Sequence, residues 1–273
     1  MIFWYAKQFQ YDVYLEWVKG NPDFLPFSLV TNSTFEDLAG VHAVLAVEDV
    51  HLEIRTTSFS KNQMVGPEGS TLRALASRIS LTSAVTFHAN QASMGGALFL
   101  SHNSSLYSFA SEFTQNQAIL AGVFLLREAS DVTLVKNSVH ANRAVEVAAV
   151  IWASNGHETT EISATDTSFS DNYAGQAFAR LDSVRLHLFN CVLLNNTAQE
   201  VTSGFYTANS FVNLTNTLIR NEPLNKTGSR KLHDTGLLER SGSELRELFR
   251  GRRLQEQTML DEGILAGFFY LTG

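Results

Sequence analysis

The sequence predicts an all-β fold, a parallel β-helix (solenoid) of about eight coils with a charged, partly helical insertion near the C-terminus. Three observations indicate this fold. An apolar-x-x-Asn segment recurs every 24 to 30 residues, a short run of alternating apolar residues precedes it, and a pair of small residues follows it. Alternation over four to six residues predicts strands rather than helices. Two or three short strands in each of about eight repeats predict a solenoid.

A leucine-rich repeat has a similar period and is the main alternative fold. Its core reads Leu-x-Leu-x-x-Asn, and the nearest match, at residues 186–190, is one residue short. The segment that recurs in this chain is apolar-x-x-Asn-x-Ala. The sequence therefore favours the β-helix over the leucine-rich repeat.

The apolar residue of each repeat is predicted to lie in the core. Residues at one register of a parallel solenoid lie one above another at the strand spacing of about 4.8 Å, so aromatic rings can stack. Phe35 belongs to a degenerate first copy of the repeat. The predicted core stack consists of Phe35, Phe59, Phe87, Phe113, Val139, Phe169, Leu193 and Leu218.

The asparagine of each repeat is predicted to lie at a turn and to form a ladder. Asparagine tolerates the left-handed conformation of a tight turn, and stacked asparagines can bond amide to amide between coils. The predicted ladder consists of Asn62, Asn90, Asn116, Asn142, Asn172, Asn196 and Asn221. The small pairs that follow, such as Gly95-Gly96, are expected where the backbone bends sharply.

The sequence divides into four segments. Residues 1–26 are rich in aromatic side chains, and this segment is either a cap on the first coil or the end of an upstream element. Residues 27–221 are the repeats. Residues 222–262 hold 8 Lys/Arg and 8 Asp/Glu and are predicted to be an insertion with a helix near 243–260. Residues 263–273 resemble the start of a further coil, so we expect the chain to be part of a longer polypeptide.

The composition argues against several classes of function. The net charge is −7 and charged residues make up 17% of the chain, which argues against nucleic-acid binding. No apolar run approaches the length of a transmembrane helix, and the N-terminus does not have the pattern of a signal peptide. The single cysteine, Cys191, is expected to be a small core residue.

The repeats resemble a known family. Phe87-x-x-Asn90 followed by Gly95-Gly96-Ala97-Leu98 is similar to the repeat pair of polymorphic outer membrane proteins, a branch of the pectin-lyase-like right-handed β-helices. The resemblance covers residues 27–221 and 263–273, with one full copy and about seven partial ones. It implies a right-handed β-helix at a cell surface or outside the cell, often with an adhesive role.

Enzymatic chemistry is less well supported. Glycoside hydrolysis needs two carboxylates about 5–10 Å apart, and the one acid pair at a shared register, Asp131 with Glu161, has Arg185 at the same place in the next coil. His88 and His140 share a register two coils apart, about 9.6 Å, which is too far for joint metal ligation. We therefore expect no catalytic residue, no metal and no cofactor.

Five Asn-x-Ser/Thr sequons could carry N-glycans if the chain is secreted by a eukaryote. We expect Asn195 to be the least likely of them to carry a glycan, because it adjoins a ladder asparagine. The five are Asn32, Asn103, Asn195, Asn213 and Asn225.

Two functional hypotheses follow. The favoured one is a non-catalytic surface or secreted scaffold, adhesin-like, whose Ser/Thr/Asn-rich lateral face binds glycans or surface proteins. The alternative is a polysaccharide-active β-helix enzyme, a lyase or a glycoside hydrolase. A cytoplasmic or purely structural repeat protein is the remaining alternative.

Overall fold

The computed structural model describes residues 12–16, 27–154, 160–199 and 202–221. Every regular element in these ranges is a β-strand, and together they form a parallel β-solenoid. None of the described residues lies in a helix long and apolar enough to cross a membrane. The predicted insertion at 222–262, its helix and the predicted coil at 263–273 lie outside the described residues.

The first sheet has nine strands and forms one side of the solenoid. Its strands, numbered here and below in chain order, are β1 (Asp12–Glu16), β2 (Phe27–Thr31), β6 (His51–Arg55), β10 (Arg78–Thr82), β14 (Ser105–Phe109), β18 (Asp131–Val135), β22 (Thr160–Thr165), β26 (Val184–Phe189) and β30 (Phe211–Thr215). Strand β1 pairs antiparallel with β2, and all later neighbours are parallel. The antiparallel strand therefore occupies the edge of the first coil in this sheet.

The second sheet has eight parallel strands, each of three residues. They are β3 (Thr34–Glu36), β7 (Ser58–Ser60), β11 (Thr86–His88), β15 (Glu112–Thr114), β19 (Ser138–His140), β23 (Ser168–Ser170), β27 (Val192–Leu194) and β31 (Leu218–Arg220). The middle residue of each strand from β3 to β27 is buried, and its two neighbours are exposed or half-buried, except Thr114 of β15, which is 7% exposed. This alternation places the predicted apolar stack inside the coil.

The third sheet consists of seven two-residue strands. They are β4 (Ala39–Gly40), β8 (Gln63–Met64), β12 (Gln91–Ala92), β16 (Gln117–Ala118), β20 (Arg143–Ala144), β24 (Tyr173–Ala174) and β28 (Thr197–Ala198). The second residue of each strand from β8 to β28 is buried. The alanine of the repeat therefore fills the space where the coil is narrow.

The fourth sheet closes each coil with a longer strand. Its seven strands are β5 (Ala43–Glu48), β9 (Ser70–Leu75), β13 (Gly95–Ser101), β17 (Phe124–Arg127), β21 (Ala148–Ser154), β25 (Ala177–Asp182) and β29 (Thr202–Ala208). Since two sheets hold eight parallel strands and two hold seven, the described residues form seven complete coils and two strands of an eighth.

The glycine pair lies at the entry to the fourth sheet. A Cβ added to Gly96 would lie 2.1 Å from the carbonyl oxygen of Gly122, and one added to Gly122 would lie 2.2 Å from that of Ala149. No side chain fits at such distances. The backbones of neighbouring coils approach each other closely here, and this approach requires glycine.

Two apolar clusters stabilise the coils. The main core runs inside the solenoid along its described length. A smaller cluster lies on the outer side of the fourth sheet, where Phe99, Leu125 and Trp152 occupy one row. The guanidinium of Arg127 lies 6.0 Å from the ring centroid of Phe99 and 5.8 Å from that of Trp152. Cation–π contacts of this kind help to hold the row.

The turn into the third sheet differs from the prediction. The left-handed residue is the one before each ladder asparagine from Asn62 to Asn196; these residues are Lys61, Ala89, Gln115, Ala141, Asp171 and Asn195, with φ between 52° and 56°. The expectation that the asparagine itself adopts this conformation is therefore wrong. The chain turns from the second sheet to the third at a residue that is exposed or half-buried, and the asparagine that follows points its amide into the coil.

Candidate functional site

The predicted asparagine ladder is an internal feature of the coil. In the middle of the ladder, Asn116 is fully buried, and its Nδ2 donates to Phe87 O at 2.9 Å and to Asn142 Oδ1 at 3.0 Å. Its Oδ1 accepts from the backbone N and from Nδ2 of Asn90. The same side-chain bond links each consecutive pair from Asn62 to Asn221. With all its polar atoms bonded internally, the ladder supports the fold rather than a ligand.

A second polar column occupies the turn between the first and second sheets. Each of its side chains donates to the carbonyl oxygen two residues earlier; the members are Ser33, Thr57, Ser111, Asn137, Thr167, Cys191 and Thr217. Cys191 is buried, and its Sγ also lies 3.3 Å from Ala164 O. Burial raises the pKa of the Cys191 thiol. Cysteine here replaces a hydroxyl residue, so it is more than a small core residue.

The core stack agrees with the prediction except at its end. Phe35, Phe59, Phe87 and Phe113 stack with ring centroids 4.7–5.3 Å apart. Val139, Phe169 and Leu193 continue the same buried row.

Leu218 does not belong to the stack. It lies opposite Val192, while Ile219 lies opposite Leu193, so the register of β31 is shifted by one residue relative to Asn221. Leu218 is 45% exposed. The strict three-residue spacing to asparagine fails in this last described strand, where the turn is one residue shorter.

We define the lateral face as the outward-pointing residues of the first and second sheets. Its polar, charged and aromatic side chains are the groups that a ligand could contact. In the second sheet, the outward rows hold mainly hydroxyl and imidazole groups. One row is Thr34, Ser58, Thr86, Glu112, Ser138 and Ser168, and the other is Glu36, Ser60, His88, Thr114, His140 and Ser170. Thr86 Oγ1 donates to Ser58 Oγ at 3.0 Å, which links neighbouring coils on the surface.

Three side chains on this face form a hydrogen-bonded group that the sequence did not predict. The Oγ1 atom of Thr114 lies 3.2 Å from Nδ1 of His140, and Nε2 of His140 lies 3.0 Å from Oε1 of Glu112. When Nε2 carries the proton, the hydroxyl donates to the imidazole and the imidazole donates to the carboxylate. Glu112 and Thr114 are two residues apart on one strand, and His140 comes from the next coil. They meet only because strands of consecutive coils pair in register. The sequence indicates this pairing through the alignment of its repeats, not through any local motif.

The predicted acid pair on the first sheet is arranged as a mixed charge row. Asp131 lies one coil before Glu161, which lies directly opposite Arg185. An oxygen of Asp131 accepts from the backbone N of Glu161 at 2.7 Å. Because one carboxylate is bonded to the backbone and the other faces a guanidinium, the pair has the character of a surface charge ladder.

A second charged pair lies near the start of the first sheet. Arg55 donates twice to Glu53, at 2.7 and 2.8 Å, and these hydrogen bonds lower the pKa of the Glu53 carboxyl. Thr82 Oγ1 donates to the same carboxylate from the next coil. Glu53 is therefore ionised and already engaged at neutral pH.

Exposed aromatic rings distinguish the first sheet from the other three. Tyr107 and Phe109 lie on β14, Phe189 on β26 and Phe211 on β30, with 37–55% of each residue exposed. The ring of His187 lies 6.1 Å from that of Phe211. Tyrosine and phenylalanine are enriched at interaction surfaces relative to the rest of a protein surface.

The sequons lie at different depths. Asn32, Asn103 and Asn195 are exposed, and each adopts a left-handed turn conformation. Asn213 is half-buried in the centre of β30, and Asn225 lies outside the described residues. Asn195 points outward while the adjoining Asn196 points inward, so its place beside the ladder does not bury it. That Asn195 is the least likely of the five to carry a glycan stays a prediction.

The two histidines of the second sheet lie in one outward row, two coils apart. His88, Thr114 and His140 occupy successive strands of one row, as the sequence predicts. Across the described parts of the chain, no three His, Cys, Asp or Glu side chains converge as they would around a metal ion.

Comparison with known proteins finds no match for this chain among protein-family models, curated proteins or solved structures. The chemistry of the lateral face is therefore the ground on which a function can be proposed.

Proposed function

We propose that this chain is a non-catalytic β-solenoid scaffold whose lateral face binds glycans or surface proteins. The observation that carries the proposal is the separation of polar roles in the coils. Asparagine, serine and threonine inside the turns bond to the backbone and to each other. Those on the lateral face point to solvent, beside exposed aromatic rings.

The outer groups suit weak, repeated contacts. Hydroxyls, imidazoles and carboxylates recur at the strand spacing of about 4.8 Å along each row, so a partner can make the same contact at several coils. Individual contacts of this type contribute little, but several on one ligand multiply the affinity. A long solenoid is suited to this mode of binding because it presents an extended surface.

The resemblance to the repeats of polymorphic outer membrane proteins extends the proposal. On that basis we place the chain at a cell surface or outside the cell, as an adhesin-like segment of a longer, pectin-lyase-like protein. The exposed sequons at Asn32, Asn103 and Asn195 accommodate glycans without disturbing the core, which is compatible with secretion from a eukaryotic cell.

One observation favours the alternative, an enzyme acting on polysaccharides. Thr114, His140 and Glu112 form a hydroxyl–imidazole–carboxylate series of the kind that activates a nucleophile for acyl transfer, so it would suit removal of an ester group from a polysaccharide rather than cleavage of a glycosidic bond. The Thr114 residue is only 7% exposed, which leaves little access for a substrate. We therefore assign the series a structural role ahead of a catalytic one.

An array of immobilised glycans and surface proteins, probed with the labelled chain, tests the proposal. We expect retention on at least one class of ligand, and equal retention by the Thr114→Val variant, which lacks the hydroxyl but keeps the shape. Absence of retention on every ligand would overturn the scaffold hypothesis. Retention that disappears in Thr114→Val, together with release of product, would favour the enzyme.

A further inference from the structure

We propose that the outer side of the first sheet between β14 and β26 binds an extended, uncharged oligosaccharide that lies across the strands, along the solenoid axis. This inference rests on the proposed function and names the ligand class and the place. It begins from two aromatic pairs. Tyr107 and Phe109 lie two residues apart on β14, and His187 and Phe189 lie two residues apart on β26.

The two pairs occupy the same two rows. The register runs from Phe109 through Val135 and Thr165 to Phe189. The neighbouring row begins at Tyr107 and ends at His187, and its intermediate members are Thr133 and Ser163. Three strand spacings separate the pairs, which is about 14 Å. Each ring pair is therefore a platform at one end of a span that suits a short oligosaccharide.

The floor between the platforms is mostly hydroxyl. Thr133, Ser163 and Thr165 are half-buried, and Ser163 Oγ donates to Thr133 Oγ1 at 3.3 Å. A pyranose ring has apolar C–H faces and polar edges. The faces can lie on the aromatic rings while the edge hydroxyls exchange hydrogen bonds with the floor, which is the usual combination of apolar walls and few placed polar groups in a ligand site.

The charge of this surface disfavours acidic oligosaccharides as ligands. Along one border of these strands lie the exposed Asp131, Glu161 and Arg185, and along the other lie the exposed Lys136 and Asp166; with three negative and two positive charges, the surroundings of the site are net negative. A polyanion would meet this net negative border without a matching set of cations. Carboxylates can instead accept hydrogen bonds from sugar hydroxyls, so the border favours an uncharged ligand.

The exposed rings support this assignment independently of the polar floor. Phe109 is 37% exposed and Phe189 is 45% exposed, although both occupy positions where threonine serves equally well in neighbouring coils, as at Thr82 and Thr165. The fold therefore does not require a phenylalanine at either place.

Titration of the full chain with cello-, xylo-, manno- and chito-oligosaccharides tests the proposal, with oligogalacturonate as the acidic comparison. We expect binding of at least one uncharged hexasaccharide, weaker binding of its disaccharide, and no binding of oligogalacturonate. The double variant Phe109→Ser/Phe189→Ser should lose about tenfold in affinity or more, which corresponds to 1.4 kcal/mol. Phe109→Tyr/Phe189→Tyr, which keeps both rings, should retain binding.

Val41→Ser is the matched control, because Val41 is 55% exposed and lies outside the first sheet. We expect it to bind as the unaltered chain does. Failure of every uncharged oligosaccharide to bind, or an unchanged affinity in the double serine variant, would overturn this inference. If the glycan and protein array still retains the chain in that case, the proposed scaffold function stands and only this site is refuted.

Discussion

Asn116 donates its side-chain amide to that of Asn142 at 3.0 Å, and this bond joins two coils at a point that water does not reach. Each such asparagine also closes the turn of the preceding coil through Phe87 O or its equivalent. The ladder therefore fixes the distance between coils and the position of the turn at the same time. Buried polar networks of this kind specify one register when all their members are bonded.

The first prediction concerns this ladder. Asn116→Leu should lower the free energy of unfolding by about 3 kcal/mol, because Asn90 N, Asn90 Nδ2, Phe87 O and Asn142 Oδ1 all lose a buried partner. Denaturant unfolding followed by circular dichroism measures the change. Gln115→Ala is the control, since alanine already occupies the equivalent position at Ala89 and Ala141. Equal stability of Asn116→Leu and the unaltered chain would refute the ladder.

The second prediction concerns the left-handed residues. Ala141 has φ 54°, a conformation that costs an L-residue about 1–2 kcal/mol. Ala141→Gly should therefore raise the free energy of unfolding by up to about 1 kcal/mol after the entropy cost of glycine. Ala144→Gly, three residues later in a buried strand, should lower it. If both glycine variants lose stability alike, the turn carries no strain.

The third prediction concerns the close approach at the glycine pair. Gly96→Ala should destabilise the protein by about 3 kcal/mol, because the new methyl group would lie 2.1 Å from a backbone oxygen of the next coil. Gly40→Ala meets only the flexible Met64 side chain, at 3.2 Å, and should be tolerated. Thermal unfolding of the two variants separates these effects. A tolerated Gly96→Ala would show that the coils can separate locally.

The fourth prediction concerns Cys191 and pH. Burial raises the pKa of its thiol, so the folded state favours the protonated form. Stability from this group is complete below the unfolded thiol pKa of about 8.5 and is lost as pH rises through the higher folded pKa. From pH 7 upward, the free energy of unfolding, measured with denaturant, should fall more steeply for the unaltered chain than for Cys191→Thr. Threonine is the matched replacement, since it occupies the same place at Thr167 and Thr217.

The sequence predicts the interior of this protein better than its surface. The Phe87-x-x-Asn90 spacing places both side chains correctly, because a buried ring and a buried amide each admit few alternatives. The spacing misplaces Leu218, since a turn that is one residue shorter changes the register without changing the pattern.

The left-handed turn residues and the three-residue contact at His140 were not predicted. Turn residues such as Lys61 and Gln115 share a conformation but no side-chain type, so no composition signal marks them. Thr114 and His140 are 26 residues apart, and they meet only because consecutive coils pair in register. A comparison of the residues at the same outward register in consecutive repeats would have identified the contact.

The central claim is that the lateral face binds a ligand and leaves it chemically unchanged. Mass spectrometry of an oligosaccharide or glycan that the array identifies as a ligand, after prolonged incubation with the full chain, tests it most directly. We predict that the ligand is recovered with its original mass while it remains bound to the protein. Products of altered mass that form in proportion to protein, and that are absent with His140→Ala, would contradict the claim and establish an enzyme.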